Sequence, residues 1–245
     1  MIYIAHRGAS AHAPENTLEA FRLALDIGAK HFELDIHQTK DGELVVLHDD
    51  NVKKLGASSR KVSQLSCREL RALDAGSWFN TKFKGEPVPL LSEVLDLLGE
   101  SSWLNIEVKE GVSVYPGIDE NLLLLLKKKP TWRNRFSISS FDHPTLLKLR
   151  SLDAHIPLGY LLGFTSWRHA WKELSQLGCE SLNLSWRQVS QKWVRAAHAK
   201  KMKVFVYTIN SPEQVVRLEK MGVDGVFTDA PELGMPLWSA LGGTN

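Results

Sequence analysis

The sequence has few cysteines, little net charge and no long hydrophobic run. Its two cysteines, Cys67 and Cys179, lie far apart and fit no metal-ligand spacing, so we expect free thiols in a reducing compartment. The formal net charge is +2, and the 30 Lys and Arg residues are spread along the chain. This balance does not favour a nucleic-acid or membrane surface. No apolar run approaches the length that spans a bilayer.

We also expect no leader segment, because an apolar strand is predicted from Ile2 and leaves no room for a signal peptide. We therefore expect a cytoplasmic protein. With 43% hydrophobic residues the chain can bury one large core, and we expect a single domain over residues 1–245. The expected partner is a small molecule, with no nucleic acid and no stable membrane association. The protein is expected to be a monomer or a homodimer.

Strands and helices alternate through most of the chain. We count eight core strands, beginning near residues 2, 31, 103, 135, 157, 180, 203 and 223, each followed by a helical segment. This alternation predicts parallel pairing, and eight repeats predict an α/β fold of the (β/α)8 type, a TIM barrel. Residues 50–88 form a long insertion after the second strand, and such insertions are often functional. An open doubly wound sheet is the alternative, but no Gly-rich dinucleotide fingerprint follows the first strand.

The most informative stretch is 33–50, which is typical of a strand, a turn and a second strand. Glu33 and Asp35 project from one face of the first strand because side chains alternate along it. Two acids on one face of an apolar strand are costly unless a cation lies between them. Carboxylate ligands suit a hard divalent ion, so the pair predicts a Mg2+ or Ca2+ site.

In a TIM barrel, function lies at the C-terminal ends of the strands. Those ends carry three acids, two histidines, an arginine and a lysine: Glu33, Asp35, Glu107, His6, His48, Arg7 and Lys109. Their convergence predicts a metal site with acid–base partners and cationic groups that bind an anion. For any one pair, an ordinary salt bridge is an equally good explanation. Other histidines, such as His37, are interpreted as structural, and Asp49 as a loop carboxylate.

Several motifs follow one another along the chain. They include His6-Arg7-Gly8, Pro14-Glu15-Asn16-Thr17, Glu33-Leu34-Asp35, Leu47-His48-Asp49-Asp50 and Asn105-Ile106-Glu107-Val108-Lys109. Further motifs at 74–79, 139–141, 207–210 and 222–229 extend the series over essentially the whole chain. Together they resemble the signature of the glycerophosphodiester phosphodiesterase family. The chain looks most like the cytosolic bacterial members.

The resemblance implies a barrel enzyme that hydrolyses glycerophosphodiesters, which are deacylated phospholipids, to sn-glycerol 3-phosphate and an alcohol. By that analogy, Glu33, Asp35 and Glu107 bind one divalent cation, Mg2+ or Ca2+. His6 and His48 would share the proton transfers. We expect His6 to take a proton from the attacking hydroxyl and His48 to donate one to the leaving alkoxide.

Four further residues complete the site that the resemblance implies. Arg7 and Lys109 would hold the phosphate, whereas Phe141 and Tyr207 would shape the glycerol end of the pocket. The chain departs from the family at residues 52–59, where members usually carry a Thr-rich segment leading into a Gly-rich turn. The resemblance therefore does not imply a particular leaving group.

Three other functions are open at this point. A lysophospholipase-D-type enzyme would need an apolar groove or a membrane-facing loop, and the insertion does not favour one. A non-catalytic binding barrel would be expected to lack a histidine or a metal ligand, and none is missing. An aldolase-type barrel would use Lys109 to form a Schiff base, but a lysine flanked by carboxylates should stay protonated.

Overall fold

The computed structural model describes residues 1–57 and 59–235, and a closed barrel forms its centre. Its strands are Ile2–His6 (β1), His31–Gln38 (β2), Leu44–Val46 (β3), Trp103–Val108 (β4), Phe136–Ser140 (β5), Leu158–Leu161 (β6), Ser181–Ser185 (β7), Lys203–Tyr207 (β8) and Gly225–Thr228 (β9). All except β3 are paired in parallel, and β1 pairs with both β2 and β9, which closes the barrel. The predicted eight-stranded TIM barrel is confirmed.

Helices surround the barrel. Their bounds are Leu18–Ile27 (α1), Cys67–Arg71 (α2), Leu91–Leu98 (α3), Ile118–Lys127 (α4), His143–Leu152 (α5), Trp167–Leu177 (α6), Gln191–Ala199 (α7) and Pro212–Lys220 (α8), with a short 3-10 helix at Pro231–Gly234. Within the described ranges, every helix is too short or too polar to cross a lipid bilayer.

The alternation of side chains along each strand separates the hydrophobic core from the barrel interior. In β4, the side chains of Leu104 and Ile106 point outward into the core beneath the helices. The intervening Asn105 and Glu107 point inward and line a cavity at the C-terminal end of the barrel. The same strand therefore supports the core with one face and the site with the other.

Strand β3 is an addition to the barrel and is not one of its eight parallel strands. It pairs antiparallel with the end of β2, and the turn between them includes Gly42, whose φ of 88° favours glycine. This pairing confirms the predicted strand–turn–strand and places His48 beyond the C-terminal end of β2.

The insertion over residues 50–88 has an apolar cluster of its own. Val52, Val62, Leu65 and Leu70 are fully buried within it, and they pack with Val45 of β3. The insertion is therefore anchored beside the C-terminal end of the barrel, where its residues can border the site.

Candidate active site

Nearly all the predicted site residues surround one cavity at the C-terminal ends of the strands. The cavity has a volume of about 210 Å³. Its lining includes His6, Arg7, Glu33, His48, Glu107, Lys109, Phe141 and Tyr207, together with Asn105, Leu161, Thr208 and Phe227. Asp35, the ninth predicted residue, does not line the cavity but lies against Arg7 and Lys109 beneath it. The structure thus brings the predicted set together.

Three carboxylates form a compact group at the cavity. Glu33, Asp35 and Glu107 each offer an oxygen, and these oxygens all lie within 4.8 Å of one another. Adjacent strands produce this grouping, because Asp35 of β2 lies opposite Glu107 of β4 in the parallel register. Glu33 is 3% exposed and Asp35 is fully buried, so water cannot screen their repulsion.

The charge on this group is only partly balanced. Burial, followed by repulsion from Asp35 and Glu107, raises the pKa of Glu33 well above its usual range. For Asp35, burial also acts upward, but Arg7 and Lys109 outweigh it and lower the pKa. Asp35 Oδ1 is buried and accepts no hydrogen bond within the described residues, although Lys109 Nζ lies 3.5 Å away. Three converging carboxylate oxygens, one of them without a hydrogen-bond donor, fit a hard divalent cation.

Two cationic side chains line the cavity beside the carboxylates. Arg7 Nε is 3.1 Å from Asp35 Oδ2, and Lys109 Nζ is 2.8 Å from Glu107 Oε1. Although burial opposes its charge, Glu107 and Asp35 raise the pKa of Lys109 to about 12. Lys109 therefore stays protonated, which suits anion binding and not Schiff-base chemistry.

The backbone at Arg7 is shaped to reach both carboxylate positions. Arg7 has a φ of 58°, and its backbone N–H donates to Glu33 Oε2 at 3.0 Å while its side chain turns toward Asp35. The next residue is Gly8, and a Cβ there would lie 2.6 Å from the backbone carbon of Ala20. Only glycine fits this approach of the first loop to α1.

His6 is held by an aspartate from the other end of the chain. Its Nδ1 lies 2.6 Å from Asp229 Oδ1, and Ser10 and Asn210 also donate to the Asp229 carboxylate. Burial alone would raise the pKa of Asp229, but these hydrogen bonds and the imidazole lower it to about 2. Because an ionised carboxylate only accepts hydrogen bonds, Nδ1 carries the proton, and Nε2 faces the cavity region 3.9 Å from Glu33.

His48 has a similar arrangement. Its Nδ1 donates to Asp49 Oδ1 at 2.8 Å, and its backbone carbonyl accepts from His37 Nε2 at 3.2 Å. His37 in turn accepts from the Tyr115 hydroxyl, and burial lowers the pKa of His37 to about 4, so it stays neutral. Burial, with Arg7 and Lys109, also lowers the pKa of His48 against the opposing effect of Asp35.

Both histidines thus present Nε2 for chemistry while an aspartate fixes Nδ1. His6 is the last residue of β1, and His48 follows β3. Both rings line the same cavity. Paired imidazoles in this arrangement can take and give protons on a bound ligand.

Aromatic side chains form the remaining wall of the cavity. The rings of Phe141 and Tyr207 are 6.3 Å apart and nearly perpendicular, and Tyr207 also packs against Phe227. Phe141 is 46% exposed, so it borders the opening rather than the core. The wall is apolar and lies next to the histidines and the cationic groups, which suits a ligand with both an anionic and a neutral part.

Comparison with known proteins identifies this arrangement. A family model described as the glycerophosphoryl diester phosphodiesterase family matches residues 6–233. The chain belongs to this family. Family membership makes the protein a phosphodiesterase, in preference to a non-catalytic barrel or an aldolase.

Relatives of the phosphodiesterase match it over nearly their full length. A glycerophosphodiester phosphodiesterase from Caldanaerobacter subterraneus subsp. tengcongensis is 38% identical over 234 residues, covering 94% of this chain and 95% of the relative. A phosphodiesterase from Oleispira antarctica, solved with the product sn-glycerol-3-phosphate, has a TM-score of 0.83 at 28% identity, covering 99% of this chain and 97% of that chain. The Thermotoga maritima glycerophosphodiester phosphodiesterase has a TM-score of 0.78 at 28% identity, covering 97% and 98%.

Several residues of the phosphodiesterase site were missed by sequence reasoning. Glu15 accepts from Arg7 at 2.9 Å and from Lys54 of the insertion at 2.6 Å, and Asn16 donates to Asp35 at 2.9 Å. Thr17 alone caps α1, so the Glu15-Asn16 pair serves the site and not the helix start. Asp229 offered a usable signal, because it is an acid immediately after the last strand of the barrel.

Proposed function

We propose that the protein hydrolyses glycerophosphodiesters to sn-glycerol 3-phosphate and an alcohol. The observation that carries this proposal is the single cavity that joins three carboxylates, two cationic side chains and two aspartate-held histidines. Support comes from the relatives, since the Caldanaerobacter protein is named for this activity and the Oleispira structure contains sn-glycerol-3-phosphate as product.

Glu33, Asp35 and Glu107 would hold one divalent cation, for which Mg2+ and Ca2+ are the candidates. When bound, such an ion supplies positive charge that stabilises the developing charge on a phosphoryl oxygen. Hard cations of this kind prefer oxygen ligands, and the group offers no nitrogen or sulfur ligand.

Arg7 and Lys109 would bind the phosphodiester anion. Both are permanently charged, and both line the cavity while contacting the carboxylate group. An anionic diester repels nucleophiles, so these charges lower the barrier by offsetting the negative charge that grows in the transition state.

His6 and His48 would carry the protons. His6 Nε2 takes a proton from the attacking hydroxyl, and Asp229 holds the ring in the tautomer that leaves Nε2 free. His48 donates a proton to the leaving alkoxide. Because burial lowers the pKa of His48, its imidazolium form depends on the bound anionic substrate, whose charge favours protonation.

The neutral parts of the substrate would meet the aromatic wall. Phe141 and Tyr207 would contact the glycerol end, where apolar rings cover carbon atoms without competing for the hydroxyl groups. We further propose that residues 1–245 act as one domain. A cytoplasmic location and a monomeric or dimeric state stay predictions.

The proposal is tested by the release of glycerol 3-phosphate from glycerophosphoethanolamine. Purified protein would be treated with a chelator and then supplied with Mg2+ or Ca2+, beside Glu107→Gln and a surface control, Glu100→Gln. We expect metal to restore release in the wild type and the control but not in Glu107→Gln. Full release after chelation, or no release with either ion, would contradict the proposal.

One observation favours a second substrate class, lysophospholipids that retain an acyl chain. Phe141, Phe164 and Trp186 are exposed on the loops after β5, β6 and β7, all at the C-terminal end of the barrel. The loops after β6 and β7 contact each other, since Gln188 donates to the Gly163 carbonyl at 3.1 Å. Exposed rings beside the cavity could cover an acyl chain.

The two substrate classes are separated by comparing a lysophosphatidylethanolamine with glycerophosphoethanolamine. If acylated lipids are substrates, the double variant Phe164→Ser, Trp186→Ser should lose turnover of the lysophospholipid and keep that of the deacylated diester. Turnover of the deacylated diester alone would rule out the second class.

A further inference from the structure

The barrel has a second cavity at its N-terminal end, opposite the catalytic one. Its volume is about 390 Å³, compared with about 210 Å³ for the catalytic cavity. The first inward-facing residues of several strands line it, among them His31 of β2, Trp103 of β4 and Lys203 of β8. Ligand cavities usually measure roughly 300–1,000 Å³. Since catalysis occupies the other end of the barrel, the proposed reaction does not account for this cavity.

The interior above this cavity is unusually polar on one side. Bulky branched residues usually fill a TIM barrel, but Ser137, Gly159 and Asn183 occupy inward positions on β5, β6 and β7. The Ser137 hydroxyl and both amide atoms of Asn183 are buried without a hydrogen-bond partner within the described residues. Such buried groups normally have a partner, which can be a ligand or a water molecule.

Gly159 leaves the polar side chains of the neighbouring strand in close contact with its backbone, where a larger residue would not fit. A Cβ on Gly159 would lie 2.9 Å from Ser181 Oγ and 3.1 Å from Asn183 Nδ2. Ser137 and Ser181 both line the cavity, and both are at least nine-tenths buried. The floor of the cavity therefore presents hydroxyl groups at a place where larger side chains are absent.

The opening of the cavity is positively charged. Lys201 and Lys203 line it, and neither forms an ion pair with an acid in residues 1–57 and 59–235. His31 also lines the opening, and burial together with the charge of Lys203 lowers its pKa. Glu180 is the one acidic residue in the lining. Two unpaired lysines against one acid favour an anionic ligand.

The remaining wall is apolar and aromatic, with the Trp103 and Phe205 rings tilted by 49° to each other. Trp103 and Phe205 have ring centroids 6.4 Å apart, and His31 lies 5.9 Å from Trp103. Ile2 adds an aliphatic surface beside them. Aromatic faces of this kind pack well against a planar ligand and add binding energy beyond simple burial.

We propose that this N-terminal cavity is a second binding site, which takes a small organic anion with a flat apolar body. Lys201 and Lys203 bind the anionic group at the opening, and the Trp103 and Phe205 rings cover the planar part. The inner end of the ligand reaches the buried hydroxyl of Ser137. This site is separate from the catalytic cavity and does not depend on the proposed reaction.

Calorimetric titration with naphthalene-1-sulfonate tests this proposal. The probe carries one anionic group on a flat apolar body, and saturating glycerol 3-phosphate would be present throughout to occupy the catalytic cavity. Sulfate and 1-naphthol provide the charge and the ring separately. We expect a dissociation constant on the order of 100 µM for the whole probe, and at least tenfold weaker binding for either part.

Variants locate the binding. Lys203→Glu should weaken binding of the probe at least tenfold, whereas Lys172→Glu, the same charge change on the exposed surface of α6, should leave it within twofold. Ser137→Ala should weaken it a few-fold without lowering the melting temperature, because it removes an unpartnered hydroxyl.

Several outcomes would overturn the proposal. Equal binding by Lys203→Glu and Lys172→Glu would place the probe elsewhere. Binding that appears only when glycerol 3-phosphate is left out would place the probe in the catalytic cavity. If sulfate bound as tightly as naphthalene-1-sulfonate, the cavity would be only a non-specific position for a counter-ion. If no probe gave a heat of binding, the cavity would not be a binding site for such anions.

Discussion

The pairing of His6 with Asp229 gives the most quantitative prediction. Asp229 Oδ1 lies 2.6 Å from His6 Nδ1, and the Asp229 side chain is 30% exposed, so solvent screens the pair only in part. Asp229→Asn keeps the size of the side chain and an oxygen that accepts hydrogen bonds, but it removes the charge. The variant should therefore lose stability and should hold His6 less firmly in its productive tautomer.

The magnitude follows from the pKa of Asp229, which falls from 3.8 to about 2 on folding. At roughly 1.36 kcal/mol per pKa unit, the ionised carboxylate stabilises the folded protein by about 2 kcal/mol. This stabilisation is fully present above pH 3.8 and is lost as the pH falls toward 2. For a chain of this size, the loss corresponds to a melting temperature lower by about 4–8 °C at pH 7.

Catalysis should fall as well, because a charge-assisted hydrogen bond of this kind is worth roughly 1.5–3 kcal/mol. We expect kcat to drop by about ten- to a hundredfold, with a smaller change in KM. The matched control is Asp224→Asn. Asp224 Oδ2 lies 2.8 Å from His198 Nε2, and neither residue lines the catalytic cavity. Calorimetry at pH 7 and pH 3, with steady-state kinetics, would refute the reasoning if Asp229→Asn matched wild type in both kcat and melting temperature.

Three further substitutions test other parts of the site. His48→Ala should lower kcat for glycerophosphoethanolamine by about two to four orders of magnitude. The loss should be far smaller for a diester with a p-nitrophenol leaving group, which needs no general acid. If that substrate restored the activity of His6→Ala instead, His6 would be the general acid and His48 the general base. Glu33→Gln should abolish the response to metal yet leave the melting temperature of chelated protein unchanged or higher, because burial and the neighbouring acids raise the pKa of Glu33 and make its ionised form costly; a marked loss of melting temperature with an intact metal response would contradict this. Glu15→Gln should raise KM about five- to tenfold, because Glu15 fixes Arg7 at 2.9 Å and ties it to the insertion through Lys54; an unchanged KM would show that Arg7 is positioned without it.

The barrel and much of its site could be predicted because both follow from local patterns. Alternating strands and helices define the barrel, and the carboxyl ends of parallel strands must share one end of it. Asp35 and Glu107 therefore had to approach each other, as the register between β2 and β4 shows. The structure confirms the barrel and the grouping of these residues, while their individual roles stay predictions.

Contacts between distant parts of the chain could not be predicted in the same way. Asp229 meets His6 across 223 residues because β9 closes the barrel against β1. The insertion was expected only as a long segment after the second strand, yet it packs around Val52, Val62 and Leu70, which lie in or beside separate short helices. Such contacts depend on tertiary packing, which a local pattern does not encode.

The most direct test of the proposed function is to follow glycerophosphoethanolamine by 31P NMR in the presence of purified protein and divalent metal. We expect the diester resonance to be replaced by that of glycerol 3-phosphate, and His6→Ala and His48→Ala to be nearly inactive. Conversion to phosphoethanolamine would mean that the other ester bond is cleaved. Persistence of the diester with both Mg2+ and Ca2+ would contradict the proposed hydrolysis itself.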